Sequence, residues 1–297
     1  MKEVIVITGP TACGKTLTAV ALAKKIGGEI ISADSMQIYT GMDIGTAKPT
    51  LAEMDGIPHH LIDICSPNKI FSASLYQQLA RKAVDEVASR GNIPIITGGT
   101  GFYINAAIYD GLLSPAEENK KICTSLREND LYEYLKQIDP ISAERIHPNN
   151  IKRVKRAVEY YEIHAKPLSE NIVAKIPIYK AFQIMLYRDR KKLYEAINKR
   201  VDLMIQSGLA AEVKRLTETG AALTAIQALG YKELLPYLRG ECLLEEAVEQ
   251  VKTRSRRYAK RQLTWFKNQM DCTEILMDGK SYSEAADEII ELRGKYG

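Results

Sequence analysis

Gly9-Pro10-Thr11-Ala12-Cys13-Gly14-Lys15-Thr16 has the residue types and spacing of a phosphate-binding loop. Glycines let the backbone wrap an anion with its N–H groups, and a helix that follows adds the partial positive charge of its N-terminus. Lys15 supplies a full charge, and the Thr16 hydroxyl is placed to ligate Mg²⁺. A di- or triphosphate is the expected ligand, and the loop by itself does not choose among such compounds. Asp34 opens Asp34-Ser35-Met36-Gln37. Its carboxylate suits three tasks: holding Mg²⁺ through water, acting as a general base, or capping a turn. Gln37 carries an amide able to read an adenine edge. Gly98-Gly99-Thr100-Gly101 offers N–H donors and a hydroxyl, and its glycines also suit a tight turn. A nucleotide hydrolase would commonly end the preceding strand in an Mg²⁺-holding Asp; Ile95-Ile96-Thr97 has none, which argues against hydrolysis. Arg200 could stabilise charge developing on phosphate oxygens. Spacing alone makes it half of a surface ion pair with Glu195, Asp202 or Glu212.

The elements that must position these groups alternate along the first hundred residues. Val4–Thr8, Glu29–Asp34 and Ile93–Thr97 read as short, nearly continuous apolar strands. Leu17–Lys25 reads as a helix, and so does Phe71–Arg90, with Leu75, Leu79, Ala83 and Val87 on one face. This alternation predicts an α/β fold, a parallel sheet flanked by helices on both faces. Ligands in such sheets collect at the strand C-terminal ends, so the phosphate loop, Asp34 and Gly98–Gly101 should line one cleft. Residues 114–180 lose the strand pattern and become helical and charged, with Leu126–Ile138 and Asn150–His164 as amphipathic candidates. We expect a core domain of residues 1–113 plus 181–297 and an α-helical insertion domain of residues 114–180. Phe182–Tyr187 returns as a strand. Helices are then expected over Arg190–Ser207, Leu209–Thr219, Tyr231–Leu238 and Leu244–Asn268.

The 297 residues, 45% hydrophobic and 26% charged, suit one sizeable core with a smaller unit attached. No apolar run reaches membrane-spanning length, and a strand at the N-terminus leads us to expect no leader segment. Cysteines 13, 65, 123, 242 and 272 form no CxxC pair, which points to reduced thiols in a cytoplasm rather than disulfides or structural zinc. The net charge of +4 is less informative than its distribution. Lys152-Arg153-Val154-Lys155-Arg156 and residues 252–261 are basic and contain no acid. Each could be a solvated helix face or a phosphate-backbone contact. Arg254, Arg257 and Arg261 fall on one helical stripe with Tyr258 beside it. Trp265 reads as core packing rather than as a base-stacking platform.

These segments, together with Gly45-Thr-Ala-Lys-Pro49, His59-His-Leu-Ile-Asp63, His147-Pro-Asn-Asn150, Arg200-Val-Asp202, Gln227-Ala-Leu-Gly-Tyr-Lys-Glu233 and Ala259-Lys-Arg-Gln-Leu-Thr-Trp-Phe266, resemble the bacterial tRNA dimethylallyltransferases of the IPP transferase family. The resemblance runs from residue 4 to about 268. It implies a P-loop NTPase-like core and transfer of a dimethylallyl group from dimethylallyl diphosphate to N6 of the tRNA adenosine at position 37, 3′ of the anticodon. By matching position, the diphosphate would lie on Gly9, Pro10, Thr11, Ala12, Cys13, Gly14, Lys15 and Thr16, with Mg²⁺ held through Thr16. Asp34 would be the general base, and Lys15, Thr100 and Arg200 would assist departure of diphosphate. Asp34, Ser35, Met36, Gln37 and Thr100 would surround a flipped adenine. Lys152, Arg153, Val154, Lys155, Arg156, Gln227, Gly230, Tyr231, Lys232, Arg254, Arg257 and Arg261 would contact the anticodon stem-loop. The implied enzyme is a cytoplasmic monomer with no membrane partner.

The chain departs from the family pattern at Cys13, where Ser is usual, and at Asn150, where Asp is commoner. We expect no C-terminal zinc finger of the kind that eukaryotic relatives carry. Two other classes fit the loop: an ATP-dependent small-molecule kinase and a non-catalytic nucleotide-binding switch or RNA-binding module. A related adenylate isopentenyltransferase uses a free nucleotide, which would need neither the insertion nor the basic C-terminal helix.

Overall fold

A computed structural model describes residues 1–111, 128–170 and 175–296, and its chain divides into two compact units, Met1–Asp110 with Pro177–Gly297 and Gly111–Ile176. The larger unit is built on six parallel strands: β1 (Glu3–Thr8), β2 (Gly28–Ser32), β3 (His59–His60), β4 (Ile93–Gly98), β5 (Lys180–Tyr187) and β6 (Thr273–Leu276). Their spatial order is β3-β2-β4-β1-β5-β6. Such a sheet, flanked by helices, is the P-loop NTPase-like arrangement.

Alternation along β1 decides which helices cover which face, because successive side chains point to opposite sides. Val4 and Val6 join the core formed with the helices Ala73–Ser89 and Gly101–Ile108. Ile5 and Ile7 join the opposite core, with the helices Lys15–Ile26 and Tyr282–Lys295. The connection leaving β1 therefore takes one face and that leaving its neighbour β4 takes the other. Chains that diverge from adjacent parallel strands open a crevice at the strand C-termini. Two buried threonines close the strand pair below it: Thr8 Oγ1 donates to the Gly98 carbonyl at 3.2 Å, and Thr97 Oγ1 to the Ile7 carbonyl at 3.1 Å.

Several elements differ from expectation. The helix Ala73–Ser89 buries Tyr76, Ala80, Ala83, Val84 and Val87, and Leu75 is 41% exposed. The packed face is rotated because the Tyr76 ring stacks on Tyr103 at 4.1 Å. Within Tyr231–Leu238, α-helix covers Leu235–Leu238 alone, and a run of turns precedes it. Gly230, at φ +91°, gives its N–H to Glu233 Oε2 instead of a helical carbonyl. Strands β3 and β6 have no apolar run to announce them.

The smaller unit contains the helices Glu128–Ile138, Pro140–Arg145 and Ile151–His164 around Leu131, Leu135, Ala143, Val154, Ala157 and Val158. Leu126, the expected start of the first helix, lies outside the described residues. Buried Asp139 organises the turn, its two oxygens accepting the N–H groups of Ser142 and Ser169 at 2.9 Å each. Among the described residues no helix is long and apolar enough to cross a membrane.

Candidate active site

The loop after β1 ends at an open helix N-terminus. Gly14, at φ +99°, precedes the helix Lys15–Ile26 without a side-chain cap, and the first turn holds no acid. The first N–H groups of that helix thus meet no acceptor from a capping side chain. Gly9 is required by space as well as by its φ of +144°, since a Cβ there would stand 2.2 Å from the Leu186 carbonyl oxygen of β5. Cys13 is fully buried in the apolar core, so its contribution to the loop is backbone.

Asp34 follows β2, and Met36 donates its N–H to Asp34 Oδ1 at 2.9 Å, which orients the carboxylate. The Thr100 loop braces this turn. Thr100 N–H donates to the Ala33 carbonyl at 3.1 Å, and Thr100 Oγ1 accepts the Ser35 N–H at 3.1 Å. Gly98 permits the approach, because a Cβ there would sit 2.2 Å from the Ala33 oxygen. Two of the three segments expected at one cleft, the Asp34 turn and Gly98–Gly101, are therefore joined directly.

Arg200 projects from the helix Arg190–Gln206, and among the described residues it has no acid at ion-pair distance. Two of the three acids that spacing offered it are engaged elsewhere. Asp202 pairs with Lys252 at 2.6 Å. Glu212 accepts the N–H groups of Asp43, Ile44 and Gly45 at 2.9–3.0 Å and the Tyr231 hydroxyl at 2.7 Å. Loss of hydration pushes the pKa of Arg200 down, and the nearby Asp34 charge opposes that shift. Lys15 is shifted in the same direction by burial, reinforced by Arg200 and opposed by Asp34. Lys15 Nζ donates to the Pro10 carbonyl at 2.8 Å. Two half-buried cations and one carboxylate thus share the crevice. Two tyrosine hydroxyls feel the same carboxylate: burial, with Asp34 adding to it, pushes Tyr258 up to about 12. Burial does the same for Tyr103, where Tyr39 and then Asp34 contribute.

The IPP transferase family model matches residues 37–269. This chain belongs to the IPP transferase family. A tRNA dimethylallyltransferase of Anoxybacillus flavithermus is 49% identical over 99% of this chain and 97% of its own length. The solved isopentenylpyrophosphate transferase of Staphylococcus epidermidis is 45% identical, covers 99% of this chain and all of its own, and superposes with a TM-score of 0.76. A eukaryotic dimethylallyltransferase acting on tRNA is 29% identical over 98% of this chain and 80% of its own, with a TM-score of 0.85.

Within this IPP transferase, the residues expected to meet RNA divide by exposure. Lys152, Arg153, Lys155 and Arg156 are exposed on the helix Ile151–His164, and Lys155 lies 3.8 Å from Glu159. Val154 between them is fully buried, so its side chain packs the core of the smaller unit and cannot contact a ligand. Gln227 and Lys232 are exposed, but Tyr231 is 1% exposed, its ring filling the space beside Gly45. Gly230 is also buried. On the helix Leu244–Gln269, Arg254, Arg257 and Arg261 face solvent, and Val251, Ser255, Ala259, Gln262 and Phe266 face inward. Gln37 has its amide engaged: Oε1 accepts from Ser32 Oγ at 3.2 Å, and Nε2 donates to Thr46 and Ala47 carbonyls at 3.4 and 3.3 Å. Trp265 is half-buried against Gly101 and lines a surface depression of about 340 Å³ with Lys260, Arg261, Thr264, Asn268 and Gln269. Two residues were missed as parts of this crevice, Tyr258 at the carboxylate and Gln262 between the loops.

Proposed function

We propose that the chain transfers the dimethylallyl group of dimethylallyl diphosphate to the exocyclic N6 amine of adenosine 37 in tRNA, releasing diphosphate. The observation that carries this reading is the crevice pairing of Lys15 and Arg200, cations without a carboxylate at ion-pair distance among the described residues, beside the oriented carboxylate of Asp34. A diphosphate supplies the missing negative charge, and a carboxylate near its ester carbon can take a proton.

The step balances with these groups. The N6 lone pair forms a bond to the allylic carbon as the carbon–oxygen bond breaks, and that electron pair leaves on the diphosphate. Asp34 accepts the amine proton through its Oδ2, Oδ1 being tied to Met36. Lys15, Arg200 and the open helix N-terminus neutralise the charge gathering on the leaving group. Thr100 holds the Asp34 turn through Ser35 and presents its hydroxyl at the same wall.

The donor set at the loop fits Mg²⁺, which Thr16 would help to hold. Thr16 offers a hydroxyl, and no described group of three His, Cys, Asp or Glu side chains could cage a metal. When bound there, Mg²⁺ would add charge neutralisation to the leaving group. The adenine must leave its stack to reach Asp34, which a single-stranded anticodon loop permits at lowest cost. Exposed Lys152, Arg153, Lys155 and Arg156, Gln227 and Lys232, and Arg254, Arg257 and Arg261 are then contacts for the anticodon stem-loop. The proposal takes the enzyme as a cytoplasmic monomer.

Incubation with labelled dimethylallyl diphosphate and unmodified tRNA, in parallel with γ-labelled ATP, tests the reading. Label on tRNA from the first donor alone supports it. Phosphoryl transfer from ATP, with no prenylated tRNA, overturns it.

A further inference from the structure

One amide spans the two walls of the crevice. Thr11 donates its N–H to Gln262 Oε1 at 2.9 Å, and Gln262 Nε2 donates to the Gly99 carbonyl at 2.9 Å. The partners lie 251 and 163 residues away in sequence. Gln262 is 7% exposed and stands in the inward stripe of the helix Leu244–Gln269. The double contact needs a donor and an acceptor about one amide apart. A carboxylate could only accept, an ammonium only donate, and an aliphatic chain neither.

Gly99 is shaped to this amide. A Cβ there would meet Gln262 Nε2 at 2.5 Å, and its other neighbour within 4 Å is the same residue's Cδ, at 3.8 Å. A side-chain carbon at 99 would thus displace the Gln262 amide. From Gly99 the bonding runs to the residues on either side of Asp34, through Thr100 N–H to the Ala33 carbonyl and Ser35 N–H to Thr100 Oγ1, both 3.1 Å. From Thr11 it runs into the loop that ends in Lys15.

We propose that Gln262 is a positioning residue: its amide sets the separation between the diphosphate loop and the Thr100–Asp34 wall, and hence between leaving group and acceptor amine. The inference rests on the prenyl-transfer reading. A displacement near 1 Å at such a distance costs on the order of 10²-fold in rate.

The test compares Gln262→Met, Gln262→Ala, Gly99→Ala and the Gly99→Ala/Gln262→Ala pair in the full-length enzyme. Steady-state transfer to tRNA, thermal melts and amide hydrogen exchange at Thr11 are read together. Gln262→Met should lower kcat by about 10- to 100-fold and leave KM for dimethylallyl diphosphate within about threefold, since Lys15 and Arg200 are untouched. Exchange at the Thr11 amide should accelerate. Gly99→Ala should slow transfer likewise, and the double variant should be no slower than Gln262→Ala, because the clashing partner is gone. Wild-type kcat in Gln262→Met, a loss no larger than its unfolded fraction, or additive losses in the double variant would overturn the proposal. Failure of the wild type to prenylate tRNA would instead sink the proposed reaction. In that case unchanged Thr11 exchange in Gln262→Met would still refute the tie.

Discussion

The Arg200 charge bears on Lys15 in one crevice, and both cations are half-buried there, with less hydration than a surface cation. Two like charges so placed destabilise the ligand-free fold and favour whatever anion enters. Arg200→Met should therefore keep or raise the melting temperature of the free enzyme. Inorganic pyrophosphate at a hundredfold excess over Kd stabilises a binding-competent fold by about 2.7 kcal/mol. The variant should show a smaller pyrophosphate shift and lose about 10²- to 10³-fold in kcat/KM. An undiminished shift would remove Arg200 from the diphosphate site.

Asp34→Asn separates chemistry from binding. The amide oxygen can still accept the Met36 N–H, so the turn persists, but no proton can be taken from the amine. Transfer should fall by about 10²- to 10⁴-fold with pyrophosphate affinity retained. Near-normal turnover would show that another group is the base.

Gly101 and Trp265 test close packing at the crevice wall. A Cβ on Gly101 would lie 1.8 Å from Trp265 Cζ3 and 2.2 Å from Cε3. Gly101→Ala should cost about 1–3 kcal/mol, read as a lowered urea midpoint at unchanged slope. Adding Trp265→Ala should recover part of that loss. A Gly101→Ala midpoint equal to wild type would mean the indole moves aside freely.

Acid stability should depend on Glu29. The Arg90 guanidinium first, with Asn92 and His60, holds its carboxyl down at about 2 against an ordinary 4.5. A depressed folded pKa means the unfolded chain binds the proton first, so the stabilisation is complete above about 4.5 and lost as pH falls towards 2. The stability difference between wild type and Glu29→Gln, measured by urea unfolding, should be flat above pH 5 and shrink below about 4.5. A difference independent of pH would exclude this linkage.

What was legible in the sequence was contiguous. Gly9–Thr16 carries its strand, turn and helix signals within a few residues, and Asp34 and Gly98–Gly101 follow strands whose apolar runs announce them. Arg200 was obscure because its role depends on where other charges go: Lys252 takes Asp202, and the loop Asp43–Gly45 with Tyr231 takes Glu212. Gln262 was obscure for a related reason, since both its partners come from the far end of the chain. Val154 and Tyr231 turn inward from basic segments, and a basic neighbourhood carries no sign of which side chain does so. Strand β6 gave no signal because Ile275 is its one buried residue.

The basic helix offers a division within four residues. Arg256 is tied to Asn198 at 2.7 Å, Thr253 at 2.8 Å and Glu249 at 3.1 Å, whereas Arg254 and Arg257 are exposed. Neither of these two has an acid at ion-pair distance among the described residues. Arg254→Ala with Arg257→Ala should weaken tRNA binding and reduce the slope of log K against log salt by about 0.7 to 0.9 for each phosphate that the protein no longer neutralises. Their melting temperature should not change. Arg256→Ala should lower the melting temperature, because it strips three bonds between and along helices, and leave the salt slope as in wild type. Binding isotherms at several salt concentrations, with melts of the same proteins, decide the matter. An altered slope for Arg256→Ala, or none for the Arg254/Arg257 pair, would move the RNA footprint off this outward stripe.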